Sequence, residues 1–312
     1  MNFPYLNGAT KPPFQDRHVT KVKELFTSYT DGAKGDIGVI GLPSSRSSIT
    51  MSMASETPAT IRESFGALTT YSHDQDTDYD SIRFLDFGDV YTHPTSVDET
   101  IERLYVSVKG MLETKACNKY LMLGGDHGVS FPSIRAFAEQ YGRIGVIQWD
   151  AHHDVRNTED GGRTNGTPFR SLLEEGWIHG EDLIQVGIRD YANAKAYDDY
   201  VKEKGITVYS MSDVDRLGIN HVINEALAKL EGKVDMIYLS VDMDVVDQAF
   251  APGCPAIGPG GITSRELLSS VKMASSHSKV KAMDIVEIDP NKDYRNMTSR
   301  LAAAAVLQYS FL

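Results

Sequence analysis

Eight short apolar segments, rich in β-branched residues, are the feature that most limits the folds open to this chain. Their hydrophobicity is nearly continuous rather than alternating, which is typical of strands buried on both faces of a parallel sheet. Segments with helical spacing lie between them, so we predict a doubly wound α/β fold. The predicted strands span residues 37–41, 82–87, 119–123, 144–150, 183–188, 207–210, 236–242 and 280–288.

Helices are predicted where apolar residues recur at i, i+3 and i+4. Ser212 with Asp215, and Thr263 with Glu266, resemble the signals that start a helix. No linker, repeat or low-complexity run divides the chain, so we predict one domain over residues 1–312. The predicted helices span residues 19–29, 97–113, 212–230 and 264–274.

The net charge and the cysteine content limit the classes of partner and the cellular compartment that we expect for this chain. Lys and Arg number 31 against 43 Asp and Glu, a net charge of −12, which argues against binding to nucleic acid or an anionic membrane. Cys117 and Cys254 form no CxxC pair, which favours a reducing compartment. Residues 1–14 lack the basic and apolar regions of a signal peptide, and no apolar run approaches the ~20 residues of a membrane span. We therefore expect a soluble cytoplasmic protein.

Acids and histidines follow three of the predicted strands at a spacing that brings them together. Residues at i, i+2 and i+4 of an extended chain point to the same side. The strand 144–150 ends in an acid, which is followed by a histidine and a second acid at that spacing. The strand 236–242 ends in the first of two acids at the same spacing, and a histidine follows the strand 119–123. Ligand sites of α/β proteins lie at the carboxyl ends of strands, so these side chains are expected to converge. The six candidates are His127, Asp150, His152, Asp154, Asp242 and Asp244.

Four carboxylates at one place need cations, because like charges raise each other's pKa. The set is too large for one tetrahedral ion and suits two bridged divalent ions, ~3.5–4 Å apart in such sites. Oxygen and imidazole ligands without thiolate favour Mn²⁺ over structural zinc, and a water between two such ions readily becomes hydroxide. The alternative, that the acids are turn residues or helix caps, suits one acid better than the repeated set. His153 is expected to point away from the ions.

Four motifs resemble those of the ureohydrolase superfamily, which includes arginase, agmatinase, guanidino-acid hydrolases and formimidoylglutamase. The resemblance implies a three-layer α/β/α fold with an eight-stranded, mainly parallel sheet. It also implies a homo-oligomer, a trimer or hexamer by analogy. The motifs are Gly-Gly-Asp-His at 124–127, Asp-Ala-His-His-Asp at 150–154, Ser-Val-Asp-Met-Asp at 240–244 and Asp-Ile-Val-Glu at 284–287.

The same resemblance assigns roles to the site residues. Two carboxylates, Asp150 and Asp242, would bridge the ions, and Glu287 would face the cationic amidinium or guanidinium group of the substrate. One Mn²⁺ would be held by His127, Asp150, Asp154 and Asp242, and the other by Asp150, His152, Asp242 and Asp244.

The segment 154–170, which contains the clearest loop, residues 157–168, is expected to bind the tail of the substrate. Arg156 and Arg163 would lie near the mouth of the site, where two arginines favour a dicarboxylate tail. The alternative is that they only balance surface charge. Asn165 replaces the His of the His-Gly-x-Pro motif of arginases and agmatinases, and an Asn cannot shuttle protons. Asn165 and Asn193 are predicted to bind substrate.

These features are most similar to the formimidoylglutamase branch. We predict a binuclear manganese hydrolase that cleaves N-formimidoyl-L-glutamate, a small anionic amidine, to L-glutamate and formamide in histidine degradation. The bridging hydroxide would attack the formimino carbon, Glu287 would hold the amidinium, and Asp154 would pass a proton to the leaving nitrogen. The alternatives are a guanidino-acid hydrolase or agmatinase that releases urea and, from another class, a non-catalytic metal-binding assembly protein.

Overall fold

The computed structural model describes residues 16–311, in which a central parallel sheet is the main element. The strands are β1 (Phe26–Ser28), β2 (Ile37–Gly41), β3 (Tyr71–Ser72), β4 (Thr77–Asp78), β5 (Phe84–Asp89), β6 (Lys119–Leu123), β7 (Ile144–Trp149), β8 (Leu183–Ile188), β9 (Thr207–Ser210), β10 (Met236–Asp242) and β11 (Val280–Val286). β3 and β4 pair antiparallel apart from the rest. The other nine form one sheet in the order β1-β5-β2-β6-β11-β10-β7-β8-β9, and every neighbouring pair in it is parallel.

Helices connect the strands, as parallel pairing requires. The α-helices are α1 (Thr57–Ser64), α2 (Val97–Glu113), α3 (Ser130–Tyr141), α4 (Pro168–Glu174), α5 (Lys195–Lys204), α6 (Met211–Leu217), α7 (Ile219–Glu231), α8 (Ser264–Ser275) and α9 (Met297–Ser310). Short 3₁₀ helices span Val22–Leu25, Ala54–Glu56, Phe65–Ala67, His127–Val129, Gly180–Asp182, Met243–Val245 and Tyr294–Asn296. No helix in the described part of the chain is long and apolar enough to cross a membrane.

Two hydrophobic cores, one on each face of the sheet, account for the continuous apolar character of the strands. Side chains alternate between faces along a strand. In β7, Ile147 and Trp149 lie in the core beneath α1 and α7–α9, whereas Ile144 and Val146 lie in the core beneath α2–α4. The predicted α/β fold is therefore confirmed, in three layers.

The sheet has one strand more than predicted. All eight predicted strands are present, with ends that differ by at most two residues, and the ninth is β1. The helix predicted over residues 19–29 is wrong, because this segment is a single 3₁₀ turn followed by β1. Phe26 stacks on Phe84 of β5, with ring centroids 4.5 Å apart, and on Phe65 at 4.9 Å. These contacts and the pairing with β5 outweigh the local helical spacing.

Two of the predicted helices match closely, and one is divided. Residues 97–113 form α2 as predicted, and Thr263 caps α8 together with Glu266. The segment 212–230 contains α6 and α7, which meet at Gly218, where φ is +84°. The capping pair of α6 is Ser210 with Asp213, two residues before the predicted pair.

The sheet order brings four motif-bearing strands side by side. β6, β11, β10 and β7 are consecutive in the centre of the sheet, although they are far apart along the chain. Their carboxyl ends share one edge, which is where parallel α/β sheets bind ligands. The segment 1–14, for which no signal peptide is predicted, lies outside the described residues.

Candidate metal centre

Tight turns at the ends of the strands aim the predicted ligands across this edge. Asp242 ends β10, and its Oδ1 accepts a hydrogen bond from the Asp244 backbone N at 2.8 Å. Asp150 directly follows β7, and its Oδ1 accepts one from the His152 N at 2.6 Å. Because each acid binds the backbone two residues later, the i, i+2 pairs remain on one side after the strand has ended.

The first group of ligand atoms surrounds one imidazole nitrogen. His127 Nδ1 lies 2.8 Å from Asp154 Oδ2 and 3.1 Å from both Asp150 Oδ2 and Asp242 Oδ2. This nitrogen is buried and makes no hydrogen bond with any described residue. Three carboxylate oxygens and an imidazole nitrogen thus converge without bonding one another, an arrangement that suits a shared cation.

A second group shares one acid with the first. His152 Nδ1 lies 2.9 Å from Asp244 Oδ2 and 3.5 Å from Asp150 Oδ1. The two oxygens of Asp150 therefore face different groups, as a bridging carboxylate would. Asp242, the other predicted bridge, approaches only the first group closely enough to belong to it.

Burial and crowding shift the pKa values of these acids. Burial and the charge of Asp150 raise the pKa of Asp154 to about 6. Burial and neighbouring carboxylates raise the pKa of Asp242 well above its usual value. Burial also opposes ionisation of Asp150, but the nearby imidazoles of His127 and His152 lower its pKa below the usual range. Divalent cations would supply the counter-charge that this cluster needs.

Glu287 lies beside the first group in a conformation that its neighbours impose. Its φ is +61°, a left-handed conformation that is uncommon for a residue with a side chain. Its Oε1 accepts hydrogen bonds from the His127 backbone N at 2.8 Å and from Asn165 Nδ2 at 2.9 Å. Burial, with the nearby charge of Asp126, raises the pKa of Glu287 to about 8. The carboxylate is thus held at the floor of a cavity.

This cavity, of about 180 Å³, opens over both ligand groups. Arg156 lines it, and no described residue forms an ion pair or side-chain hydrogen bond with its guanidinium. A side chain at Gly166 would collide with the Arg156 stem, since a Cβ there would lie 2.7 Å from its Cδ. The glycine therefore leaves room for an unpaired cation at the cavity wall.

The two predicted asparagines also line the cavity, but their amides already have partners. Asn165 Oδ1 accepts a hydrogen bond from the Ile49 N at 3.0 Å, while its Nδ2 binds Glu287. Asn193 Oδ1 accepts from the His153 N at 2.9 Å, and its Nδ2 donates to the Ala151 carbonyl at 3.0 Å. Both side chains therefore shape the wall of the cavity.

Arg163 does not lie where the sequence predicted. Its guanidinium pairs with Glu175 and lies 4.7 Å from the centre of the Phe131 ring. It lines surface depressions outside the cavity that holds the ligand groups. The carboxylate of Glu175 and the aromatic face hold this arginine outside the cavity, so the structure does not bring Arg163 together with the other predicted site residues.

Several buried polar residues around the site were missed by the sequence analysis. Ser240 Oγ lies 3.0 Å from His127 Nε2 and donates to Asp284 Oδ1 at 2.8 Å. Asp126 accepts from the hydroxyls of Ser47 and Ser48, which anchors the loop that carries the cavity residue Ile49. Asp126, Ser240 and Asp284 stand in the motifs quoted above, but the motifs alone assigned them no role. Cys254 is buried, and burial raises the pKa of its thiol well above the usual value.

A parallel α/β sheet whose carboxyl edge carries two adjoining groups of acids and histidines defines a metal-dependent hydrolase of the binuclear type. The chain belongs to the arginase family, whose model matches residues 35–311. It is 50% identical to the formimidoylglutamase of Halalkalibacterium halodurans, covering 98% of this chain and 96% of that protein. The crystal structure of formimidoylglutamase from Bacillus subtilis is 42% identical and superposes with a TM-score of 0.94, covering 98% of this chain and 95% of that one. Proclavaminate amidinohydrolase of Streptomyces clavuligerus is 32% identical, covering 88% of each chain.

Proposed function

We propose that this protein hydrolyses N-formimidoyl-L-glutamate to L-glutamate and formamide. The observation that carries the proposal is the guanidinium of Arg156, which pairs with no residue in the described range 16–311 and lines the same cavity as the metal-ligand groups and Glu287. A cation for the tail of the substrate and a carboxyl group for its head thus line the cavity that the candidate metal centre faces. The similarity to two formimidoylglutamases over nearly the whole chain supports the same substrate.

The metal ions proposed for this site are two Mn²⁺. His127, Asp150, Asp154 and Asp242 would hold one, and Asp150, His152 and Asp244, with Asp242 as a second bridge, would hold the other. The absence of thiolate in both groups favours manganese over zinc. When bound, the ions would activate a water molecule and offset the charge that develops during hydrolysis.

Glu287 would bind the amidine head of the substrate. One carboxylate oxygen already accepts hydrogen bonds from His127 N and Asn165 Nδ2, so the other is available for an N–H of the amidinium. Those two donors lock the carboxylate in one orientation, and the formimino carbon is thereby turned toward the ligand groups. The cationic amidinium would favour the ionised form of Glu287 despite its raised pKa, and charge-assisted hydrogen bonds of this kind are stronger than neutral ones.

Asp154 would move the proton that the reaction requires. The oxygen of water bonds to the formimino carbon, the bond from that carbon to the glutamate nitrogen breaks, and the proton goes to this nitrogen. Asp154 lines the cavity, and its Oδ2 lies at the first ligand group, where the water would be held. Asn165 has no titratable group, so it would position Glu287 rather than transfer the proton.

Arg156 would bind a carboxylate of the glutamate tail, and its removal should weaken substrate binding. We expect Arg156→Leu to raise KM ~10–100-fold and to change kcat less, because a charged hydrogen bond of about 1.5–3 kcal/mol is present before the reaction begins. Arg163→Leu is a matched control, since this arginine lies outside the cavity, and its KM should remain within about twofold of the wild type. Steady-state kinetics on both variants measure the difference, and a loss confined to kcat in Arg156→Leu would contradict the assignment.

A substrate panel tests the whole proposal against its rivals. The similarity to proclavaminate amidinohydrolase keeps a guanidino-acid hydrolase as the second candidate, and agmatinase is the third. The manganese-loaded protein would be given formimidoylglutamate, short guanidino acids, agmatine and arginine, and formamide, urea and ammonia would be measured separately. We expect formamide from formimidoylglutamate. Urea as the only product would favour the rivals, and metal binding without turnover would indicate a non-catalytic assembly protein.

The setting of the reaction is also a proposal. Release of glutamate and formamide from this substrate would be a step of histidine degradation in the cytoplasm. A homo-oligomer, trimer or hexamer, is proposed by analogy with the superfamily. Sedimentation velocity on the metal-loaded protein would give its mass.

A further inference from the structure

A buried chain of side-chain amides leads away from Asp150 to the neighbouring strand. Gln148 of β7 and Gln185 of β8 are Cα partners in the sheet, and both side chains are fully buried. Gln148 Nε2 donates to Asp150 Oδ2 at 2.6 Å, and Gln185 Nε2 donates to Gln148 Oε1 at 2.8 Å. Gln185 Oε1 lies 2.7 Å from Nδ1 of His153, which is the last member of this series of hydrogen bonds. Buried amides are costly unless every donor and acceptor is paired, and here each has a partner.

The direction of every hydrogen bond in this chain is set by groups that can only accept. The Asp150 carboxylate accepts from Gln148 Nε2, so the Gln148 oxygen must face Gln185. Gln185 Nε2 also donates to the His153 carbonyl at 2.8 Å, and Gln148 Nε2 lies 3.3 Å from the His152 carbonyl. Reversing either amide would place an oxygen against these acceptors. The remaining Gln185 oxygen therefore accepts from His153 Nδ1–H, and this bond holds the His153 ring against Gln185.

We propose that Gln148 and Gln185 are positioning residues for metal binding, acting in series on Asp150. Asp150 is the acid shared by both ligand groups. Its Oδ1 is held by the His152 backbone and its Oδ2 by Gln148, so the two oxygens are kept pointing at different groups. Gln185 acts through Gln148 by holding its amide in the donating orientation. This inference rests on the metal centre of the proposed function.

Methionine variants test this relay, by which we mean the action of Gln185 on Asp150 through Gln148. Met matches the length of Gln without its polar atoms. Mn²⁺ binding to the apoprotein would be measured by titration calorimetry, and thermal unfolding of each apoprotein would be recorded alongside. Removal of such an outer partner typically weakens metal binding 10–100-fold. We expect Gln148→Met to weaken binding at least ~10-fold and Gln185→Met about threefold. Excess Mn²⁺ should restore most of the kcat of both variants, because the ligands themselves are intact.

The double variant separates a relay from two independent contacts. If Gln185 acts through Gln148, Gln148→Met with Gln185→Met should bind Mn²⁺ as Gln148→Met does alone. The matched control is Ser270→Ala, which removes the hydrogen bond from Trp149 Nε1 on the opposite face of β7. It should lower thermal stability without changing metal affinity.

Three results would overturn the inference. Wild-type affinity in Gln148→Met refutes the role of the amide, and a full additional loss in the double variant refutes action in series. An equal loss in Ser270→Ala would assign the effect to general weakening of β7. If the wild-type protein binds no divalent metal, the proposed function fails and the relay fails with it, whereas wild-type binding with unaffected variants refutes the relay alone.

Discussion

Replacing Asp150 with Asn should remove stable metal binding and lower kcat/KM at least ~10³-fold, since metal ions supply several kcal/mol of transition-state stabilisation and each 1.36 kcal/mol is tenfold. Asp150 is the acid common to both ligand groups. An Asn has one oxygen, so it cannot serve both groups. Its NH₂ would also face either Gln148 Nε2 or the His152 N, which now donate to the two carboxylate oxygens. The substitution therefore changes charge, ligand number and orientation together.

Metal content after gel filtration and activity on formimidoylglutamate would both be measured for Asp150→Asn. The matched control is Asp160→Asn, the same chemical change at an exposed residue whose carboxylate accepts from Asn157 in the loop. It should retain both ions and full activity. Retention of two ions by Asp150→Asn would contradict its assignment as the shared ligand.

Replacing Glu287 with Gln should lower kcat/KM by a factor of roughly 30 to 5,000, because loss of one partner of a buried charge pair costs about 2–5 kcal/mol. The Gln oxygen can still accept from His127 N and Asn165 Nδ2, so the turn should be preserved. What is lost is the negative charge that would face the amidinium. Metal content should remain at two ions, since Glu287 belongs to neither ligand group.

Kinetics with formimidoylglutamate and metal analysis on the same preparation would test the role of Glu287. Glu175→Gln is the control, because Glu175 pairs with Arg163 outside the cavity. Its kcat/KM should remain close to that of the wild type. If Glu287→Gln loses metal in proportion to activity, the carboxylate supports the metal centre instead of binding substrate.

The strands were predictable because each is buried on both faces and so reads as a continuous apolar run. Seven of the eight predictions begin at the observed first residue, and the eighth, 82–87, begins two residues before β5. β1 was missed because it is a three-residue edge strand whose stability comes from Phe84 and Phe65, far along the chain. The division between α6 and α7 depends on the backbone at Gly218, which helical spacing does not reveal.

The two arginines of the tail prediction show where sequence reasoning ends. Arg156 directly precedes the loop 157–168 and Arg163 lies within it, seven residues further on, and the two have the same chemistry. Arg156 rests against Gly166 and lines the cavity, whereas Arg163 is held by Glu175 and Phe131. Each outcome depends on partners that the folded chain places next to the arginine.

The sequence by itself determined the α/β class, and it singled out the six acids and histidines that the structure gathers into two groups. It could do so because strand periodicity and the i, i+2 spacing are local properties of the backbone. Only the tertiary structure decided that β6, β11, β10 and β7 stand side by side, that the two oxygens of Asp150 face different groups, and that Gln148 meets Gln185 across the sheet. Those relations depend on the order of strands in the sheet and on side-chain packing, which bring together residues that no spacing along the chain connects.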